Sequence, residues 1–296
     1  MEFMGATLSK QGLSNIYREL EDAIALSVAG AIAEDLGAGD LTAGLVPVAQ
    51  RATASIISRE SAIICGILWV EECFRQTAPA TQINWLVAEG ERVNTDQTLC
   101  KISGNARAIL TAERCALNFL QMLSATATIT RQYVDAIAGT KARILDTRKT
   151  LPGLRLAQKY AVTIGGGMNQ RMGLYDGILI KENHIAAAGG IADVLAAASH
   201  INASAPIQIE VESLAELQTA LNAGAKLILL DNFDVAGLRD AVALNAGRAI
   251  LEASGGIDIN NVREIALTGV DRISIGNLTK NVRAIDLSMR FEVPEI

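Results

Sequence analysis

Six short aliphatic runs divide the second half of the chain: ARIL (142–145), GILI (177–180), IQIEV (207–211), KLILL (226–230), AILEA (249–253) and RISIG (272–276). Most gaps between them carry a helical pattern, clearest in SLAELQTALNAGA. Such runs suit strands covered on both faces, and strands linked by helices run parallel. This half is therefore expected to form a parallel α/β sheet, open or closed as a barrel. Composition favours the same class, since half of the residues are apolar while only 4% are aromatic. Helices on aliphatic strands meet that balance better than an aromatic-rich all-β design.

The first half has another rhythm. From Asn15 to Leu36 the apolar residues Ile16, Leu20, Ile24, Val28 and Ile32 recur every fourth position, which predicts a helix. ATASIISR, AIICG, INWLV and TLCKIS then read as antiparallel strands, with turn-like AEGERVNTDQ before the last. A long helix is expected from Arg107 to about Ala138, and the tail DLSMRFEV as one more strand returning to the first domain. MEFMGATLSK lacks a basic-then-apolar leader pattern, and the longest apolar run, AIICGILWV, is too short to cross a bilayer. The four cysteines show no CxxC spacing and there are two histidines, which argues against a zinc site and for buried thiols in the cytoplasm.

Net charge is −6 and the pI about 5.1, which excludes nonspecific nucleic-acid binding through a basic surface. Any anion must be met by local cations. Polar residues follow every aliphatic run: Asp146-Thr147-Arg148-Lys149, Lys181-Glu182-Asn183-His184, Glu210 and Glu212, Asp231-Asn232, Glu252 with Ser254-Gly255-Gly256, and Ser274 with Gly276. In a barrel these ends converge on one mouth, where active sites are built. Arg and Lys there suit carboxylates or phosphates. Glu210 and Asp231 on neighbouring strands suit a divalent cation such as Mg2+, held through water. Each has a plainer reading: Lys181 as a salt bridge to Glu182 or Glu210, Glu210 and Asp231 as helix caps, His184 as a cap or packing residue. There is no Ser-His-Asp order, reactive-Cys motif or phosphate-binding GxxxxGK[ST] loop, so covalent catalysis is not indicated.

Longer motifs carry a family resemblance. LDTRKTLPGLRLAQKYAVTIGGGMNQRMGLYDGILIKENHI resembles the central motif of the quinolinate phosphoribosyltransferases, also called carboxylating nicotinate-nucleotide pyrophosphorylases. TAERCALNFLQMLSATAT, IEVES, LLDNF, LEASGGI and SIGNLTK resemble further segments of that family in the same order, and EDLGAGDLT and ISRESAIICG resemble its amino-terminal domain. The likeness runs from about Ala33 to Phe291. It implies an incomplete, TIM-like open α/β barrel (residues 121–276) and an amino-terminal α/β sandwich domain (1–120, rejoined by 277–296). It further implies a homodimer in which each barrel mouth is capped by the partner's amino-terminal domain.

The implied reaction joins quinolinate to 5-phosphoribosyl-1-diphosphate with Mg2+, giving nicotinate mononucleotide, diphosphate and carbon dioxide; its expected class is glycosyltransferase, of the pentosyltransferase type. By resemblance Arg114, Arg148, Lys149, Arg171 and Lys181 form the basic pocket, and Arg59 is the arginine donated across the dimer. Glu210 and Asp231 hold the ribose and its metal, acting with Lys149 and Lys181 as the catalytic group. Ser254, Gly255, Gly256 and Gly276 surround the 5-phosphate, with Lys280 as the basic residue of LTK; Thr147, Gln170, Ser274 and Asn277 complete the substrate-binding set. One position departs: the family usually reads Asn-His-Arg where this chain has Asn169-Gln170-Arg171. Glutamine donates a hydrogen bond but carries no charge, so a grip by imidazole is lost there.

Overall fold

The computed structural model describes residues 2–3, 6–7, 10–201 and 204–292, with side chains from Glu19 onward. The side chain of Ile16 and the end of DLSMRFEV, Val293, lie outside the described residues. Two compact units emerge: Met1–Ile129 with Leu151–Gly166 and Asn281–Ile296, and Thr130–Thr150 with Gly167–Lys280.

The first unit starts with a small β1 (Glu2–Phe3) and β2 (Ala6–Thr7) pair and helix α1 (Lys10–Leu36). There follow β3 (Arg51–Ser58), β4 (Ala62–Ile63), α2 (Ile67–Thr77), β5 (Gln82–Trp85), β6 (Arg92–Val93), β7 (Thr98–Asn105) and α3 (Ala106–Ala136). Alternation in β3 buries Ala54, Ile56 and Ser58 against the helices. Ile109, Leu117, Leu120 and Leu123 of α3 and Trp69 of α2 join them in one apolar core, and Val28 anchors α1 to it. The Trp69 indole donates to Ser27 Oγ at 3.2 Å. AIICG is strand only at Ala62 and Ile63; Gly66 turns at φ 113° and opens α2. The Glu89 carboxylate fixes that start, accepting from the backbone N–H groups of Gly66 (2.8 Å) and Ile67 (3.0 Å).

The second unit is built on the expected parallel strands: β8 (Arg143–Leu145), β9 (Ile178–Ile180), β10 (Ile207–Val211), β11 (Leu227–Asp231), β12 (Ile250–Ser254) and β13 (Arg272–Ser274). Their order is β8-β13-β12-β11-β10-β9 and every pairing is parallel. Helices α5 (Glu182–Ala188), α6 (Ile191–Ile201), α7 (Leu214–Asn222), α8 (Val235–Asn245), α9 (Val262–Ala266) and α10 (Asn277–Lys280) follow the strands. Met168 bridges in parallel to Leu145 on the outer edge of β8. Among the described residues no ladder joins that edge to β9, so the sheet is an incomplete barrel.

Helix α4 (Arg155–Ile164) lies between β8 and β9 in sequence, yet Leu151–Gly166 clusters with the first unit. Its Ala157 and Ala161 are buried in that unit's core. The last strand, β14 (Leu287–Phe291), gives the first unit's antiparallel sheet the order β14-β3-β7-β5.

Candidate active site

Parallel strands put all their carboxyl ends on one side, and the register fixes which side chains share a face. Glu210 pairs with Leu229, and Asp231 stands two residues farther along β11, so the two carboxylates share a face. Asp231 in turn pairs with Ser254 at the end of β12. Glu210 is buried, and its Oε2 accepts from Lys181 Nζ at 2.8 Å. Of the two salt bridges open to Lys181 in the sequence, the one to Glu210 forms. The Lys181 side chain stays 45% exposed, and its ammonium has further donors to offer an anion. His184 caps α5: its Nδ1 accepts from the Lys181 backbone N–H at 3.0 Å.

The loop after β8 supplies more cations. Arg148 is half-buried and Lys149 exposed, with Thr147 Oγ1 accepting from the Lys149 backbone N–H. Arg171 donates from Nη1 to Gly177 O at 2.9 Å. The Nε–H groups of Arg148 and Arg171 are buried with no acceptor among the described residues. Burial first, and then the like charge of Arg148, lowers the proton affinity of Arg171. Two half-buried guanidiniums that repel each other and hold spare buried Nε–H donors are stabilised by an anion.

Small residues shape the remaining rim. A Cβ on Gly276 would stand 3.2 Å from Lys149 Cδ and 3.9 Å from Lys280 Cδ, so both lysine stems flank this glycine. Thr279 Oγ1 donates to the Lys149 carbonyl at 2.9 Å, tying α10 to the β8 loop. Gly255 has φ 95°, and a Cβ there would lie 2.1 Å from Asn232 Oδ1; no other residue fits against that neighbour. Gly256 is exposed beside it, and Asn277 begins α10.

Beneath the rim lies a layer that sequence reasoning did not assemble. Both Asp146 oxygens are used, Oδ2 accepting from Asn169 Nδ2 (2.6 Å) and Oδ1 from the Gln170 backbone N–H (2.9 Å). Gln170 Nε2 donates to Gln208 Oε1 at 2.6 Å, and Gln208 Nε2 to Glu252 Oε2 at 3.0 Å. Ser274 is buried on β13 near Glu252. Burial raises the Glu252 carboxyl above the usual carboxylate range, and the hydrogen bond from Gln208 opposes this only in part. Most barrels fill such layers with branched aliphatics. The available signal was IQIEV, where Gln208 and Glu210 occupy alternate positions of a buried strand.

Two expected residues belong to the first unit. Arg59 donates from Nη1 to Asp96 Oδ1 (2.8 Å) and from Nε to Ser288 Oγ (3.1 Å), while its Nη2 is buried without an acceptor among the described residues. Arg114 is exposed on α3, where it offsets part of the burial that raises Glu113.

Comparison with known proteins bears on these features. Residues 126–290 match the family model "Quinolinate phosphoribosyl transferase, C-terminal domain", and residues 40–124 match its N-terminal counterpart. A nicotinate-nucleotide pyrophosphorylase [carboxylating] of Mycobacterium leprae is 42% identical over 277 residues, 90% of this chain and 97% of that protein. The solved nicotinate-nucleotide pyrophosphorylase of Francisella tularensis superposes with a TM-score of 0.90 at 45% identity, covering 92% of this chain and 97% of that one. That of Ehrlichia chaffeensis gives 0.86 at 38% identity, covering 90% and 97%. These names correct one expectation. The relatives are pyrophosphorylases, and the group they move is a phosphoribosyl unit exchanged against diphosphate; the broad class of glycosyltransferase is withdrawn for phosphoribosyltransferase. With both domain models matched in order along the chain, the protein belongs to the quinolinate phosphoribosyltransferase family.

Proposed function

We propose that quinolinate and 5-phosphoribosyl-1-diphosphate meet at the carboxyl ends of β8–β13. The reaction is the family's: the pyridine nitrogen attacks the ribose C1, the bond to diphosphate breaks, and the 2-carboxylate leaves as carbon dioxide. The electron pair of the broken carbon–carbon bond is taken up beside the pyridinium nitrogen, and a proton then completes nicotinate mononucleotide. The observation that carries this placement is the pair of crowded guanidiniums, Arg148 and Arg171, each with a buried unpartnered Nε–H, in the same unit as the Lys181–Glu210 pair and Asp231.

In this reading Arg148, Arg171 and Lys181 receive the quinolinate carboxylates. Lys149 and Lys280, flanking Gly276, meet phosphate oxygens along with Thr147 and Asn277. Gly255 and Gly256 leave the rim after β12 open to a phosphate beside Ser254. The protein's task is to neutralise two polyanions and hold nitrogen against C1. No group of three or more His, Cys, Asp or Glu able to cage a metal exists among the described residues. Two carboxylates on one face suit Mg2+, which keeps waters and shares its shell with substrate phosphates. Glu210 and Asp231 would hold it, and it would supply charge neutralisation for the departing diphosphate.

The reading extends to a cytoplasmic homodimer in which Arg59 serves the partner's site. Supporting it are the four buried free cysteines and the exposed Leu41, Leu45 and Val48 of the first unit. Beside them is a cleft of about 880 Å³ lined in part by Val46, Arg51 and Phe291. Chromatographic detection of nicotinate mononucleotide tests the function. Product is expected from quinolinate, the phosphoribosyl donor and Mg2+, and none from nicotinate in place of quinolinate. Lys181→Ala is expected to lower turnover by about 100-fold with the fold intact. Product from nicotinate and the phosphoribosyl donor without quinolinate, or a near-normal Lys181→Ala rate, would overturn this reading.

A further inference from the structure

Gln170 stands where the family usually carries histidine, and its side chain is committed at both ends. Its Oε1 accepts the Arg171 backbone N–H at 3.0 Å, and its Nε2 donates to Gln208 Oε1 at 2.6 Å. Gln208 must then turn its own Nε2 onward, and it donates to Glu252 Oε2 at 3.0 Å. The run starts beside the Asp146 clamp, passes to β10 and ends on β12, so it ties three separate segments under the rim. Every member is buried.

Resting on the function just proposed, we infer that Gln170 is a positioning residue: it orients Arg171 through a hydrogen-bond run of fixed direction and does not itself grip quinolinate. An amide offers an acceptor and a donor at once and holds both at every pH. A neutral imidazole can do the same, one nitrogen facing the Arg171 amide and the other Gln208. A protonated imidazole has donors only, so one would point at the Arg171 N–H. Glutamine thus frees the Arg171 backbone from any titration at position 170. Charged or titratable neighbours of that position are Asp146 from the end of β8, Arg148 and Arg171 from the adjoining loops, and Glu252 from β12, with Arg272 of β13 acting on Glu252. The Lys181–Glu210 pair stands at the ends of β9 and β10.

Two roles at position 170 predict opposite pH behaviour in Gln170→His. If the side chain only positions Arg171, protonating the imidazole costs Arg171 its acceptor. KM for quinolinate then rises about fivefold between about pH 8 and pH 5.5, relative to the parent protein. If the side chain grips the substrate, imidazolium adds a cation beside a dianion and KM falls over that range. A falling or unchanged KM overturns the inference. The second variant, Gln208→Met, cuts the run outside the substrate contacts. It is expected to raise KM for quinolinate and leave KM for the phosphoribosyl donor unchanged; equal effects on both, or none, overturn it. Should Gln208→Met fail to fold, Gln170→His decides alone. A parent protein that makes no nicotinate mononucleotide refutes the proposed function and is thereby distinguished from a failure of this inference.

Discussion

Lys181 shows how far a single residue could be read in advance. Its place after an aliphatic run made both an ion pair and a substrate contact reasonable, and the structure has it paired to Glu210 while half its side chain faces solvent. The two readings are compatible, because an ammonium has three donors and the half-exposed Lys181 can offer one to a substrate carboxylate while it holds Glu210. Glu252 was seen as a strand-end carboxylate, but its burial beside Gln208 could not be read without the register that sets them on one face. Its raised carboxyl has a consequence for stability. A carboxyl with a raised native value contributes fully below its unfolded-state value, and that contribution fades as pH climbs through the native one. Glu252→Gln keeps the shape and removes the charge. Its melting temperature, compared with the parent's, is expected to gain on going from about pH 5 to pH 8. A constant difference between the two proteins would contradict burial of a reluctant carboxylate at this position.

At the scale of elements, the aliphatic runs were the most legible feature, since each of the six coincides with a parallel strand. Long helices were legible too: 107 to about 138 was expected and α3 runs Ala106–Ala136. What failed depended on distant partners. AIICG looked like one strand because nothing nearby shows that Glu89 will cap a helix at Gly66. The destination of α4 was likewise hidden, because its buried Ala157 and Ala161 serve a core made mostly by residues before Ile129. Local caps are different, for they are written beside the helix they start. Ser213 Oγ accepts from Glu216 N at 3.2 Å to begin α7, and Asp234 Oδ1 from Gly237 N at 2.7 Å to begin α8. Ser213→Ala and Asp234→Ala are each expected to cost about 1 kcal/mol in denaturant unfolding. No change in midpoint for either would show that packing alone sets these helix starts.

On the scale of the whole molecule, an acidic chain gathers the cations of the proposed site in one unit. Net charge is −6, yet Arg148, Lys149, Arg171, Lys181 and Lys280 all lie in the second unit: Arg148, Lys149 and Lys181 just after β8 and β9, Lys280 in α10 after β13, and Arg171 in the segment that leads into β9. The first unit supplies a large apolar core and holds Arg59 through Asp96 and Ser288. Family membership and the broad architecture were legible because long motifs keep their order along the chain. The polar layer under the rim was not, since it is assembled by side chains from three strands and a loop.

In the proposed function, one rim of cations couples transfer of the phosphoribosyl group to loss of the 2-carboxylate. Quinolinate labelled in its 2-carboxylate tests this most directly, with released carbon dioxide and diphosphate counted together. The account predicts equal amounts of the two, with no carbon dioxide when the phosphoribosyl donor is omitted. Label released without the donor, or diphosphate formed while the label stays bound, would contradict it.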